Sequence, residues 1–248
     1  MRTTDHKVLI TGGSTGIGLA LARAFHERDN AVLICGRRAE RLAEAENALP
    51  GLHTVQADIA RDDDLKRLVD TVEEALGGLT LLINNAGIQF NDEYPTAEPR
   101  QVTAHVEQEV AVNLTGPIKL TTMCMPLLKA GAPSAIVNVT SVLALAPKKS
   151  APVYCATKAG LRSFSKALRY QLEEAGLDIA VFDVLPPRVD TEMTRARRGP
   201  KLAAHRVAEA LLKAMEADRY DVRVGFTKTV ARVQRLMPGL TERMIRKW

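Results

Sequence analysis

The stretch Val8-Leu9-Ile10-Thr11-Gly12-Gly13-Ser14-Thr15-Gly16-Ile17-Gly18 decides the fold of this chain. Three branched apolar residues read as a buried strand, the glycines as a tight turn, and the amphipathic run behind them as a helix. A strand, a glycine-rich turn and a helix start, in that order, bring bare backbone N–H groups and the positive end of a helix dipole to one point, which makes a phosphate site. Glycine there permits a positive φ and close approach of a pyrophosphate to the backbone. A glycine cluster alone is often just a turn. As the first unit of a repeated strand–helix pattern it points to a dinucleotide.

The pattern does repeat. Strand-like runs occur at 7–10, 31–35, 53–56, 81–84, 135–140, 179–185 and 220–225, and helix-like windows at 16–29, 39–49, 62–76, 98–129, 151–175 and 205–217. Asp62, Asp63 and Asp64 place acids at a helix start, where the dipole favours them. Strands alternating with helices predict an α/β fold, a Rossmann-like doubly wound, seven-stranded, mostly parallel sheet with helices on both faces. No repeat or Gly/Ser linker interrupts it. The expected organisation is one domain over 1–226 followed by a basic tail over 227–248.

Composition agrees. The 248 residues are 46% hydrophobic but only 4% aromatic, so the core must be built from Ala, Leu, Val and Ile, which suits helices on a parallel sheet. Cys35, Cys124 and Cys155 show neither metal spacing nor a disulfide framework, and with no signal-peptide pattern at Met1–Lys7 the expected location is the cytoplasm. Five scattered histidines predict no metal. The last 22 residues hold six basic residues against one acid, and so carry the whole formal charge of +5. The body balances to zero, and no nucleic-acid partner is expected.

After the second strand, where an acid would bind a ribose 2′-hydroxyl, the chain reads Cys35-Gly36-Arg37-Arg38. Two guanidiniums suit a 2′-phosphate, which predicts NADP(H) in preference to NAD(H). The alternative is that one or both solvate the next helix. Asp58 can accept from an adenine amino group or cap a helix. Asn84-Asn85-Ala86-Gly87 closes the fourth strand at the carboxyl edge of the sheet, where ligands bind. Tyr154 and Lys158, four apart on one helix face, put a phenol and an ammonium in one cleft, and a nearby cation favours phenolate.

Taken together, Thr11-Gly12-x3-Gly16-Ile17-Gly18, Asn84-Asn85-Ala86-Gly87, Asn113, Ser141, Tyr154-x3-Lys158 and Pro186-x2-Val189-x-Thr191 are in the order and spacing of the short-chain dehydrogenases/reductases. The chain resembles their compact single-domain group over about residues 7–225. Its 151–158 and 185–191 segments are similar to the bacterial DltE-like subgroup, whose label indicates no substrate. The resemblance implies that Tyr154 is the general acid or base, Ser141 the donor to the substrate oxygen, and Lys158 the residue that lowers the Tyr154 pKa and holds the nicotinamide ribose. It implies that Asn113 holds a water in a proton relay; a packed polar residue at a helix irregularity near Pro117 is the other reading. It places the cofactor against Gly12, Ser14, Thr15, Gly16, Ile17, Arg37, Arg38, Asp58, Ile59, Asn85, Ala86, Gly87, Tyr154, Lys158, Pro186, Val189 and Thr191. It also implies a small carbonyl or alcohol substrate, and a homodimer or homotetramer joined through 98–129 and 151–175. The chain departs from the family at Pro186-Pro187, where Pro-Gly is usual; a second proline stiffens the turn.

Several residues stay ambiguous. Asp183, inside an apolar strand, is expected to make a structural hydrogen bond at a helix end. Cys155 is expected to be a small packing residue rather than a redox switch. Arg195, Arg197 and Arg198 lie where the family carries a substrate lid, and can attract an acidic substrate or the cofactor phosphates, or merely solvate. In the tail, Phe226, Val230, Val233 and Met237 form one apolar stripe opposite Lys228, Arg232 and Arg235, and Leu240, Met244 and Trp248 resume it after Pro238-Gly239. Such a helix packs on its own domain beside the cleft, docks on a partner subunit, or makes weak peripheral contact with an anionic membrane. A low-turnover NADP(H)-binding regulatory protein is the remaining rival.

Overall fold

Each strand-like run becomes a strand: β1 (Lys7–Thr11), β2 (Ala31–Gly36), β3 (His53–Gln56), β4 (Leu81–Asn84), β5 (Ser134–Val139), β6 (Ile179–Leu185) and β7 (Asp221–Arg223). In the computed structural model, which describes residues 1–246, they form one sheet in the order β3-β2-β1-β4-β5-β6-β7. Every pairing is parallel, where a mostly parallel sheet was expected. The cause is burial on both faces: β4 and β5 have no exposed residue, and helices cover each side.

Side chains alternate along each strand, so neighbours feed opposite cores. Val8 and Ile10 join Val32 and Ile34 under α1 (Gly16–His26), α2 (Ala39–Ala48) and α7 (His205–Glu216), through Leu21, Phe25, Leu42 and Leu211. Leu9 joins Leu33 and Leu82 under α3 (Asp62–Leu76), α5 (Gly116–Ala130) and α6 (Pro152–Glu174), through Leu68, Val72, Leu120 and Leu172. α3 begins with its three aspartates and stops at Gly77, whose φ of +65° only glycine adopts freely.

The window 98–129 is not one helix. α4 (Pro99–Val110) and α5 are separated by a π-helical turn, Ala111–Thr115, and Asn113 lies in it fully buried. Asp183 makes a structural hydrogen bond, as expected, but within the sheet and not at a helix end: it accepts from Thr140 Oγ1 and pairs with Arg162 of α6 at 2.5 Å, tying that helix to β6. A buried carboxylate in mid-strand needs a cation, and Arg162 lies one turn beyond Lys158.

The tail forms α8 (Thr227–Leu236) and α9 (Pro238–Ile245). Val230 and Ile245 are buried in a small core with Val142, Leu143, Ala146, Ala151, Tyr154 and Cys155. Lys149 N–H donates to Arg246 O at 3.1 Å, which fastens the tail to the loop before α6. The expected stripes hold only in part. Val230 is buried and Val233 half-buried, but Phe226, Met237, Leu240 and Met244 are exposed, and Thr241 and Ile245 face inward instead. Pro238 starts a new helix, so the phase of α8 does not carry into α9. Lys247 and Trp248 lie outside the described residues.

Candidate active site

A cleft of about 630 Å³ opens beyond the carboxyl ends of β1 and β4, where the order of the sheet reverses. Its floor is the glycine loop. Gly12 and Gly16 take φ of +62° and +56°, and a Cβ on Gly18 would lie 2.1 Å from Gly12 O. Asn85 holds the loop from the neighbouring strand, its amide donating to Thr11 O at 2.9 Å and Gly12 O at 3.1 Å. Thr11 Oγ1 returns the bond by accepting from Asn85 N and Ala86 N, both at 3.0 Å. Thr15 starts α1 in an extended conformation without a side-chain cap, and no acid lies in the first turn, so the positive helix end faces the cleft. These residues fit a dinucleotide pyrophosphate: the backbone is bare, close and braced. Ser14 and Ile17 line the same floor, Ala86 and Gly87 its β4 side.

At the adenosine end the two arginines differ. Arg37 is exposed, lines the cleft and joins no ion pair among the described residues. Arg38 pairs with Glu192 at 2.8 Å, and Arg41 joins the same carboxylate at 3.1 Å, holding Glu192 well below the usual carboxylate range. Sequence spacing gave no means of foreseeing a partner 154 positions away. Asp58 Oδ1 accepts from Ala60 N at 3.0 Å and so shapes the turn beside Ile59; Arg61, not Asp58, precedes α3. Asp58 and Ile59 both line the cleft.

Ser141, Tyr154 and Lys158 line the cleft's centre and are nearly buried, at 6%, 9% and 3% exposure. Ser141 follows β5, with its Oγ accepting from Leu143 N at 3.1 Å. Lys158 Nζ donates to Val139 O at 2.8 Å and sits 5.8 Å from the centre of the Tyr154 ring. The expected lowering of the Tyr154 pKa is not what the fold imposes on the cofactor-free chain. Burial pushes the phenol up to about 12, although a hydrogen bond from Ser141 pulls the other way. Burial likewise drags Lys158 down to about 8, opposed by Asp183. Desolvation dominates at both groups because both lie deep, and it disfavours the charged form of each.

Asn113 Nδ2 donates to Ile88 O at 2.9 Å and Asn113 Oδ1 accepts from Ile88 N at 2.9 Å, so the amide pairs with the strand-end backbone as another strand would. The π turn delivers it there. Atoms Asn113 Oδ1 and Lys158 Nζ both converge on Gly87, lying 3.3 and 3.4 Å from where a Cβ would stand. On the far wall, Pro186 O accepts from Val142 N, Val189 O accepts from Thr194 Oγ1, and the Thr191 methyl packs against Gly16, 2.9 Å from a Cβ built there. Pro187 lines both the cleft and an adjoining cavity of about 970 Å³. Pro187 thus sits where the two adjoin, together with Lys148, Arg188 and Arg197.

Sequence reasoning missed two positions that shape the cleft. Thr11 was visible only as a motif letter, though its hydroxyl organises two strand ends. Lys148, in Pro147-Lys148-Lys149, looks like a solvated loop lysine, yet it is 4% exposed and lines both cavities. Nothing in its sequence neighbours signals burial: Pro147 and Lys149 on either side are exposed. Cys155 is the packing residue expected, buried against that same small core.

Among known proteins, the family model for short chain dehydrogenases matches residues 6–201. The chain is 41% identical over 198 residues to the uncharacterized oxidoreductase DltE of Bacillus subtilis, covering 80% of this chain and 77% of that one. It is 33% identical over 201 residues to sulfoacetaldehyde reductase 2 of Chromohalobacter salexigens, covering 79% and 78%. A short chain dehydrogenase from Burkholderia cenocepacia solved in complex with NADP superposes with a TM-score of 0.86 at 27% identity over 99% of both chains. A Burkholderia phymatum dehydrogenase/reductase in complex with NAD superposes with 0.82 at 23% identity over 90% of both. By its motifs, its sheet and these matches, the chain belongs to the short-chain dehydrogenase/reductase family of oxidoreductases.

Proposed function

We propose that this protein transfers a hydride between NADP(H) and a small carbonyl or alcohol substrate. The observation that carries the reading is the meeting of Ser141, Tyr154 and Lys158 at the centre of a cleft whose floor fits a pyrophosphate. NADPH supplies the hydride when bound. The Ser141 hydroxyl donates to the carbonyl oxygen, and Tyr154 gives that oxygen the phenolic proton, leaving an alcohol. A phenol held protonated by burial is the correct acid at neutral pH. Lys158 holds the ribose hydroxyls and faces the phenolate that forms. Asn113 keeps Ile88 and Gly87 in place beside Lys158 and holds the relay water. Arg37, exposed and unpaired by any acid among the described residues, takes the 2′-phosphate, and Asp58, Ile59, Val189 and Thr191 flank the adenine and nicotinamide ends.

Support for NADP(H) comes from Arg37 and from the NADP-bound Burkholderia cenocepacia relative; support for carbonyl reduction comes from the named reductase at 33% identity. Tyr154→Phe tests the assignment. Turnover falls by about 10²–10⁴-fold, the span of general acid catalysis, while NADPH binding measured by fluorescence stays intact. Appreciable residual turnover removes Tyr154 from the chemistry.

A cytoplasmic homodimer or homotetramer joined through α4, α5 and α6 belongs to the same reading, with Tyr170 of α6 58% exposed. One observation favours an added membrane contact: Leu236 and Met237 stand 79% and 58% exposed beside Arg232 and Arg235. Co-sedimentation of the full chain, but not of one ending at 226, with anionic liposomes tests it; equal failure of both removes it.

A further inference from the structure

Hydride transfer leaves unexplained why the substrate side of the cleft is cationic. Lys148, Arg188 and Arg197 line both the cleft and the adjoining cavity. Lys148 is 4% exposed, and among the described residues its ammonium has a single long hydrogen bond, to Asn91 Oδ1 at 3.4 Å. Neither it nor Arg197 joins an ion pair among the described residues. A charge buried without a counterion is costly and persists where something else supplies the partner. Burial and the guanidiniums of Arg197 and Arg188 pull Lys148 down to about 8. Burial and Arg188 lower Arg197 as well, against an attraction to Tyr154.

The neighbouring acid, Glu109, attracts Lys148 from a distance but forms no ion pair with it among the described residues. Glu109 is 2% exposed, its carboxylate accepts from Phe90 N at 2.8 Å, and burial raises its pKa. A solvated charge run is also a poor account of the lid. Arg195 and Arg198 in that segment are exposed, whereas Arg197 between them turns inward. The Lys148 loop is deliberately fixed: Lys149 N–H bonds the end of the tail, and Lys148 O faces Cys155 Sγ at 4.0 Å.

We propose that the substrate is a small carbonyl compound bearing an anionic group, a carboxylate, sulfonate or phosphate, which Lys148 and Arg197 grip while its carbonyl oxygen lies at Ser141 and Tyr154. The proposal rests on the hydride-transfer reading and narrows its substrate class. The anion restores neutrality to the chamber and orients the carbonyl by its other end.

Matched substrates test it. With NADPH and the full chain, kcat/KM for 4-oxobutanoate exceeds that for its methyl ester by about 10- to 100-fold, the effect of one or two charge-assisted hydrogen bonds. The acid-to-ester ratio collapses towards unity in Lys148→Met and Arg197→Gln, and Arg197→Lys, which keeps the charge, retains much of it. Thermal melting confirms that each variant is folded. An ester turned over as well as the acid, or a ratio the variants leave unchanged, overturns the anion site while leaving hydride transfer intact. A chain that reduces neither compound is tested by calorimetric titration of succinate into the NADP⁺-loaded protein. Binding weakened about tenfold or more by Lys148→Met supports the anion site even if the reaction is misassigned, and absence of binding overturns it.

Discussion

The two halves of the cleft are built differently. The cofactor half is bonded side chain to backbone across adjacent strands: the Thr11 hydroxyl and the Asn85 amide tie Thr11, Gly12, Asn85 and Ala86 together within 3.1 Å, and nothing in that set depends on a long loop. The other half is assembled from loops 88–91, 142–151 and 186–202 and the tail: Val142, Leu143, Ala146 and Ala151 share a small apolar core with Val230 and Ile245, an isolated bridge joins Val189 to Leu202, and Lys148, Arg188 and Arg197 line the cavity. Generic chemistry, a cradle that fits a pyrophosphate, sits on the fixed geometry of the carboxyl ends of neighbouring strands. Particular chemistry sits on loops that a body of this fold can exchange.

If the halves are separable, damage to one should spare the other. Ile245→Ala has the largest expected effect: it empties a fully buried site beneath Tyr154 and Cys155, costing about 2–5 kcal/mol. Thermal melting will show the loss, and kcat/KM will fall with the NADPH dissociation constant nearly constant. A parallel loss of NADPH affinity would break the division. Next is Arg37→Ala, which removes a charge-assisted contact of about 1.5–3 kcal/mol and raises the dissociation constant for NADPH by about 10- to 100-fold over that for NADH. Arg38→Ala should do less, since Glu192 already holds that guanidinium. Equal losses for both cofactors would deny Arg37 the 2′-phosphate.

The smallest effect is on pH. A base with a lowered pKa is neutral above it, so Lys158 sheds its proton as pH rises through about 8 in the cofactor-free chain. NADPH titrations below and above that pH should show affinity weakening by a few fold. Tyr154 keeps its proton to about 12, so the phenol does not set that limb. Flat affinity across the range would show that Lys158 contributes no charge to binding.

The same division explains what was legible in the sequence. The cofactor half could be read because its determinants are local: Gly12, Gly16 and Gly18 sit within seven residues, and Tyr154 and Lys158 share one helix face. Five of the seven strands were readable from their branched apolar runs, and β3 and β7, with one valine each, from their place in the alternation of strands and helices. Where long-range contacts decide, sequence was silent. Arg38 finds Glu192, Lys148 is buried between two exposed neighbours, and α9 turns Thr241 and Ile245 inward although Leu240 and Met244 carry the more apolar stripe. The Tyr154 pKa belongs here too, since spacing shows that a cation is near but not how deeply both groups lie.

Hydride transfer with Tyr154 as the acid is tested most directly by isotope. With the nicotinamide C4 hydride of NADPH replaced by deuteride, on either face in turn, and an acidic aldehyde as substrate, one label should appear on the carbinol carbon of the product by mass spectrometry. In Tyr154→Phe that labelled product should vanish while NADPH still binds. NADPH that binds but is never consumed with any carbonyl, or labelled product formed equally well without the phenol, would contradict the account.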